Sequence, residues 1–305
     1  MKKLRVVVSL PNDNAYQHEQ AAVAKATGEL LGLDLQVLQA NDDSITQSQQ
    51  LLQLIQSRPE DRPDALLVEP VTATGLRRVA EAAVTEGIAW VISNSDVDYI
   101  RQLAKNSKVP VFTVSQGQNE IGRLQGKQMA ALLPQGGNVL MIEGPGLSSV
   151  AVQRHEGMET ARPRNVQLTM LRSKWSEDNA AQSVGAWLKL ATSRPDKYHL
   201  IAGQTHELAL GARNAFQAIN NPELTQKWLA LPFLGIGIAN QVQSLVDRGI
   251  LAAAVVTSVT MALALRLLVR AIESKMQVPE RSVVEVASYP ELEKLTPKTQ
   301  SPVPH

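Results

Sequence analysis

The sequence predicts an α/β protein of two lobes, each a doubly wound parallel sheet covered by helices. Three observations predict it. Strand and helix signals alternate along the chain with a period of about 25 to 30 residues, the spacing of strand–helix–strand units. The strands read as short continuous apolar runs, such as 65–68 and 139–142, the pattern of strands buried on both faces. The opening unit also occurs twice. Residues 4–10 lead through Pro11-Asn12-Asp13-Asn14 into a helix, and residues 139–142 lead through Gly144-Pro145-Gly146 into another. Two such openings, at Leu4 and Val139, point to two similar lobes.

The elements follow in order. Strand 4–10 precedes a helix over 15–31 with Tyr16, Val23, Ala26, Thr27, Leu30 and Leu31 on one side and Gly32 as its stop. After strand 35–38, Ser44 caps a helix whose core face is Ile45, Leu51, Leu52, Leu54 and Ile55. Strand 65–68 ends at Glu69-Pro70, and a helix carrying Leu76, Val79, Ala80, Ala83 and Val84 stops at Gly87. Strand 88–92, a short helix within 96–106, strand 109–114 and helix 118–133 complete the first half. The second half reads as strand 139–142, a helix capped by Ser148 or Ser149, strand 166–171, helix 177–193, strand 198–202, helix 207–220, strand 233–238, helix 241–248, strand 251–256, the apolar helix 261–276 and a last strand 283–286. From 289 to 305 prolines without periodicity predict a loosely ordered tail.

Composition bounds the function. The chain has 305 residues, room for two cores. A net charge of +1 gives no field to attract nucleic acid or an anionic membrane. There is no cysteine, which excludes disulfides, thiolate metal sites and cysteine nucleophiles. No apolar run reaches the roughly 18 residues of a membrane span. Met1-Lys2-Lys3 looks like the start of a signal peptide, but 4–10 is too short for its apolar region and no A-x-A site follows. Either a leader was trimmed or the protein stays in the cytosol.

Motifs for chemistry are weak. Gly144-Pro145-Gly146-Leu147-Ser148-Ser149 is a degenerate G-x-G-x-x-G that follows a strand and opens a helix. Ser149 stands where the third glycine would be, and the next strand ends near Arg172 rather than at a ribose-holding acid. A tight turn with a helix cap explains the segment as well. No histidine pair has H-x-x-x-H spacing, so no metal site is expected. There is no G-x-S-x-G elbow and no P-loop lysine, so no catalytic residue and no cofactor is expected. His206-Glu207 reads as an acid–base pair or as an ordinary helix start.

The stronger pattern is positional. Asp13, Tyr16, Glu69, Ser95-Asp96, Gln116, Arg154, Trp175 and Thr205 all fall at or just after the carboxyl ends of predicted strands. Parallel sheets bind ligands at that edge. Two aromatic faces among polar groups suit a polar ring compound, although loop tips are polar in any case. Arg154 is the one charge on a helix stripe with Ala151, Met158 and Ala161, so it either lays its stem on apolar surface or points into a cleft.

These segments resemble the type I sugar-binding proteins of bacterial transport systems, the ribose- and galactose-binding class, whose fold also forms the effector domain of lactose-repressor-like regulators. The likeness covers roughly 4–287. It is carried by Val6-Val7-Val8-Ser9 with Asn12-Asp13 and Tyr16, by Leu66-Leu67-Val68-Glu69-Pro70, by Gly144 with Arg154-His155-Glu156-Gly157-Met158, by Glu207-Leu208-Ala209-Leu210-Gly211-Ala212 and by Leu251-Ala252-Ala253. The resemblance implies two lobes joined by a three-crossover hinge that close on ligand. It implies an N-terminal lobe of 1–116 plus 258–282 and a C-terminal lobe of 117–257 plus 283–288. By motif, Tyr16 and Trp175 match aromatics that stack on the sugar, and Arg154 matches an arginine that bonds its hydroxyls. Asp13, Glu69, Asp96, Gln116, Thr205 and Thr257 lie at ligand-facing positions with looser matches. Ser95-Asp96 stands where the family often has Asp-Arg, Thr205-His206 where it has Asn-Asp, and Gly237 where it has aspartate. A ribose or galactose assignment is therefore not carried over, and the three acids beside one arginine would also suit a cationic ligand.

The expected function is non-enzymatic, reversible binding of a small polar solute, a sugar or polyol, for delivery to an ABC-type permease by a periplasmic monomer. The alternatives are a cytosolic ligand-sensing domain signalling to a kinase or other partner, and a nucleotide-using enzyme. A DNA-binding repressor is disfavoured because such proteins carry about 60 residues of helix-turn-helix before the first strand.

Overall fold

A computed structural model describes residues 3–72, 74–274 and 276–297. The chain runs β1 (Arg5–Leu10), α1 (Ala15–Leu30), β2 (Asp34–Gln39), α2 (Ser44–Ile55), β3 (Ala65–Val68), α3 (Arg77–Thr85), β4 (Ala89–Ser93), α4 (Ile100–Lys105), β5 (Val111–Ser115) and α5 (Gln118–Leu132). It continues with β6 (Gly137–Glu143), α6 (Ser149–Ala161), β7 (Val166–Arg172), α7 (Glu177–Trp187), β8 (Leu200–Gly203), α8 (His206–Gln217), α9 (Pro222–Leu229), β9 (Phe233–Ile238), α10 (Ala239–Asp247), β10 (Ala253–Thr257), α11 (Met261–Glu273), β11 (Arg281–Val283) and β12 (Ala287–Tyr289).

The chain divides into two compact units. The first takes the chain up to Gln118, with Ser148–Val150 and Val259–Glu285; the second takes Asn119–Leu147, Ala151–Ser258 and the chain from Val286. Each is built on a six-stranded sheet, β11-β5-β4-β3-β1-β2 in the first and β12-β10-β9-β8-β6-β7 in the second. The repeated opening is thus a repeated topology, with β6 to β10 retracing β1 to β5. Strand pairing is parallel throughout the first sheet; in the second, edge strand β12 runs antiparallel to β10. Helices cover both faces of each sheet, so strands such as β3, β4 and β9 are buried along their whole length and are apolar for that reason.

Several elements differ from the sequence expectation. The buried stripe of α1 is Gln17, Gln20, Ala24, Thr27 and Gly28, while Leu30 is 83% exposed. The helix packs on α11 and reaches the polar end of the sheet with its first turns, so amides rather than aliphatics fill that stripe. Gln20 Oε1 accepts from the Thr260 and Met261 amides (3.2 and 3.3 Å), capping α11 from a distant helix. In α2 the cap is Asp43, which accepts from the Ile45 amide, not Ser44. The buried side chains there are Gln47, Leu51 and Ile55, and Ile45 is 66% exposed.

Helix α9 was not expected, yet Asn221 caps it and Pro222 opens it, the usual N-terminal signal. The expected last strand 283–286 is two short strands, β11 added to the first sheet and β12 to the second. The expected loose tail begins instead inside β12, where Tyr289 donates to Asp247 Oδ1 (2.6 Å). A 3₁₀ turn follows at Leu292–Lys294, and residues 298–305 of that tail lie outside the described residues.

In the second unit α5 meets α6 backbone to backbone. A Cβ on Gly122 would stand 1.9 Å from the Arg154 carbonyl oxygen, and one on Gly157 would stand 1.9 Å from the Asn119 carbonyl oxygen. Glycine is required here by space, and the contact fixes the height at which Arg154 leaves α6.

The core of the second unit centres on Trp228 of α9. Its ring stacks on Phe216 (4.6 Å, 2°) and meets Trp187 edge-on (5.7 Å, 69°). Trp228→Ala should therefore lower stability by about 3–5 kcal/mol in urea denaturation. A loss under about 1 kcal/mol would contradict this account of the core.

Candidate functional site

Each unit gathers polar side chains at the carboxyl ends of its parallel strands. In the first unit Asp13 follows β1 and is exposed, and Tyr16 lies in the first turn of α1, which Asn14 caps. Glu69 follows β3, Asp96 follows β4 and Gln116 follows β5. Tyr16 Oη accepts from Gln20 Nε2 (2.8 Å) and from Gln116 Nε2. Gln20 also donates to Thr260 Oγ1, which bonds Ser93 Oγ (2.6 Å). The ring of Tyr16 is thus held by a chain of buried polar groups rather than by apolar packing alone.

Glu69 is a buried carboxylate. Its Oε1 accepts from Gln17 Nε2 and from Asn94 Nδ2, both at 2.8 Å. Asn94 in turn accepts from Gln118 Nε2 on both its side-chain and backbone oxygens (2.8 Å each). Asn94 has φ +58°, a left-handed conformation that asparagine tolerates better than most residues. Burying a carboxylate is costly unless donors surround it, and these amides supply them. Gln17, Asn94 and Gln118 were not among the expected site residues. Amides give no charge or motif signal, and only their placement on helices next to the strand ends marks them.

Asp96 departs from its expected role. Arg281 forks onto it with bonds of 2.8 and 2.7 Å, at the sheet edge where β11 joins β5. Hydrogen bonding to Asp96 raises the Arg281 pKa above its ordinary value. The aspartate's charge is therefore matched within its own unit, which removes much of the case for a cationic ligand.

In the second unit Arg154 is 7% exposed, and its guanidinium donates to the Gln204 carbonyl (2.5 Å). The stripe neighbours Ala151 and Met158 are buried beside it. Gln204 is fully buried and its side chain does two further things. Its Oε1 accepts from the Gly144 amide and its Nε2 donates to the Ala151 carbonyl, both at 3.0 Å. One residue at the end of β8 thus ties the loop after β6, the first turn of α6 and the arginine together.

Trp175 follows β7 and covers Gly144, where a Cβ would stand 2.2 Å from ring carbons Cη2 and Cζ2. Gly144 has no positive φ, so it serves clearance under the indole rather than a tight turn. Its amide is already given to Gln204, so it does not open a phosphate cradle. Thr205 caps α8, its Oγ1 accepting from the Leu208 amide (3.3 Å). Thr257 is buried at the last position of β10. His155 Nδ1 lies 2.7 Å from the Glu143 carboxylate at the end of β6. Among the described residues no group of three or more His, Asp or Glu side chains is placed to hold a metal. No helix among them is long and apolar enough to cross a membrane.

Residues 6–276 match the family model described as a periplasmic binding protein domain. The chain belongs to this family. The chain is also 27% identical over 215 residues to a D-ribose/D-allose-binding protein of Pseudomonas aeruginosa; the match takes 70% of this chain and spans 65% of that protein's length. Two solved structures show the same fold. One is an ABC transporter periplasmic solute-binding protein of Actinobacillus succinogenes with bound D-allose, at TM-score 0.78 and 19% identity over 96% of this chain and 99% of that one. The other is a Caulobacter myo-inositol-binding protein bound to myo-inositol, at TM-score 0.76 and 20% identity over 93% and 92%.

The role of Gln204 is open to test. Gln204→Leu keeps the side chain's size but leaves the Gly144 amide buried without its partner and removes the second bond to the Ala151 carbonyl. Stranding such groups should cost about 2 kcal/mol or more in urea denaturation. An unchanged denaturation midpoint would show that these bonds do not hold the loop.

Proposed function

We propose that this protein reversibly binds a neutral sugar or polyol, with Arg154 and Trp175 as principal contacts, and presents it to an ABC-type permease. The observation that carries the reading is the pairing of a buried arginine with an indole seated on glycine at one strand-end edge. A sugar ring offers hydroxyls around its rim and C–H groups on its faces. A guanidinium forks to the first and an aromatic face covers the second. Tyr16, held by Gln116 and Gln20, offers a second aromatic of the same kind in the first unit. Asp13, Glu69, Gln116, Thr205 and Thr257 are proposed as further polar contacts. Asp96 is proposed as a support of the edge through Arg281, not a primary contact. The ligands of similar proteins, D-ribose or D-allose, D-allose and myo-inositol, are all neutral polyhydroxylated rings.

A periplasmic location and a monomeric state belong to this proposal, since the ligand must pass between solution and a membrane protein. A sensor protein in place of the permease would leave the binding chemistry unchanged. The nucleotide-using enzyme is not favoured, because the Gly144 amide is taken by Gln204.

Arg154→Ala carries the test. Its charge-assisted bonds to ligand hydroxyls are worth about 1.5–3 kcal/mol. Affinity for whichever of D-allose, D-ribose or myo-inositol the wild type binds should therefore fall roughly ten- to a hundredfold by calorimetry. A lowered melting temperature with unchanged affinity would remove Arg154 from the site.

A further inference from the structure

We propose that His206 determines specificity at this site: its Nε2 accepts a hydrogen bond from a solute hydroxyl. The inference rests on the sugar- or polyol-binding reading above and adds a residue to it.

The argument begins with two glycines in β9. A Cβ on Gly235 would stand 3.1 Å from His206 Cα and 3.3 Å from its Cβ. A Cβ on Gly237, two residues further along the strand, would stand 2.7 Å from His206 Nδ1 and 3.4 Å from Cε1. The side chain of His206 therefore runs alongside β9 from Gly235 toward Gly237. That is toward the carboxyl end of the strand, the edge that also carries Thr257 and Arg154. Its ring fills the space that any side chain at Gly237 would need. At the end of β9 the polar group is thus supplied from α8.

The hydrogen bonding of the ring decides which nitrogen is left for a ligand. Nδ1 faces two acceptors, the Ile236 carbonyl oxygen at 3.3 Å and Glu207 Oε2 at 3.4 Å. Nδ1 therefore carries the proton, and in the neutral ring Nε2 is a lone-pair acceptor on the opposite side. The residue is 8% exposed, so the ring is buried but not sealed. Neighbouring Thr205 has its hydroxyl oxygen engaged as the helix cap, which leaves His206 as the stronger candidate at this strand end.

Calorimetry with D-allose, D-ribose and myo-inositol tests this on wild type and His206→Ala. His206→Ala should bind the probe that wild type binds about two- to tenfold more weakly. Nitrogen-15 NMR of wild type, which needs no variant to fold, should show the His206 Nε2 resonance shifting when the probe is added. An unchanged affinity in His206→Ala, or an Nε2 resonance that the probe does not move, overturns the role of His206 and leaves the sugar reading standing. A wild type that binds none of the three probes overturns both.

Discussion

One buried amide, Gln204, determines where the Arg154 charge at the second unit's strand-end edge can stand. Its backbone oxygen receives Arg154, and its side chain closes the loop after β6 against the start of α6. The constraint behind it is general to parallel sheets. Every strand ends at the same edge, so the loops there bury donors and acceptors that the sheet itself does not pair. Each must find a partner or water. Gln204 answers this in the second unit. In the first, Glu69 with Gln17, Asn94 and Gln118 answers it in another arrangement. In both units the polar groups are ordered by protein partners before any solute arrives, which reduces what binding must spend on ordering them.

Glycine is the second device, and it acts by clearance more than by flexibility. Gly122 and Gly157 let α5 touch α6 at the level of Arg154. Gly144 makes room for the indole of Trp175, and Gly235 and Gly237 make room for His206. Trp175 and His206 therefore each have a glycine beneath or beside the ring, and Arg154 stands where two helix backbones touch. Enlarging Gly144 or Gly237 would move the ring it accommodates, and enlarging Gly122 or Gly157 would push α5 and α6 apart.

Much of this was legible in the sequence. The alternation of strands and helices and the repeated opening gave the two sheets, because buried parallel strands must be apolar throughout. The strand-end positions of Tyr16, Glu69, Gln116, Arg154 and Trp175 were legible for the same topological reason. The supporting shell was not. Gln17, Gln20, Asn94, Gln118 and Gln204 are uncharged amides whose value lies in partners far along the chain, and no local spacing encodes those partners. The pairing of Asp96 with Arg281 joins residues 185 apart in sequence and depends on β11 adding to β5. The stripe of α1 was misjudged because amphipathic reasoning assumes an apolar core, whereas the helix starts over a polar sheet edge. Helix α9 is legible in Asn221-Pro222, a cap followed by proline at the first helical position.

The family and the fold are those of periplasmic binding proteins, and the proposed solute is a neutral polyhydroxylated one. Glu69 accepts from two amides and Asp96 is matched by Arg281 within their own unit, and the Gly144 amide is taken by Gln204 rather than open to a phosphate. Mass spectrometry of the small molecule carried by the freshly purified protein tests this central claim most directly. The account predicts an uncharged sugar or polyol, released when the protein is unfolded. A nucleotide, another phosphorylated compound or an organic cation in its place would contradict it.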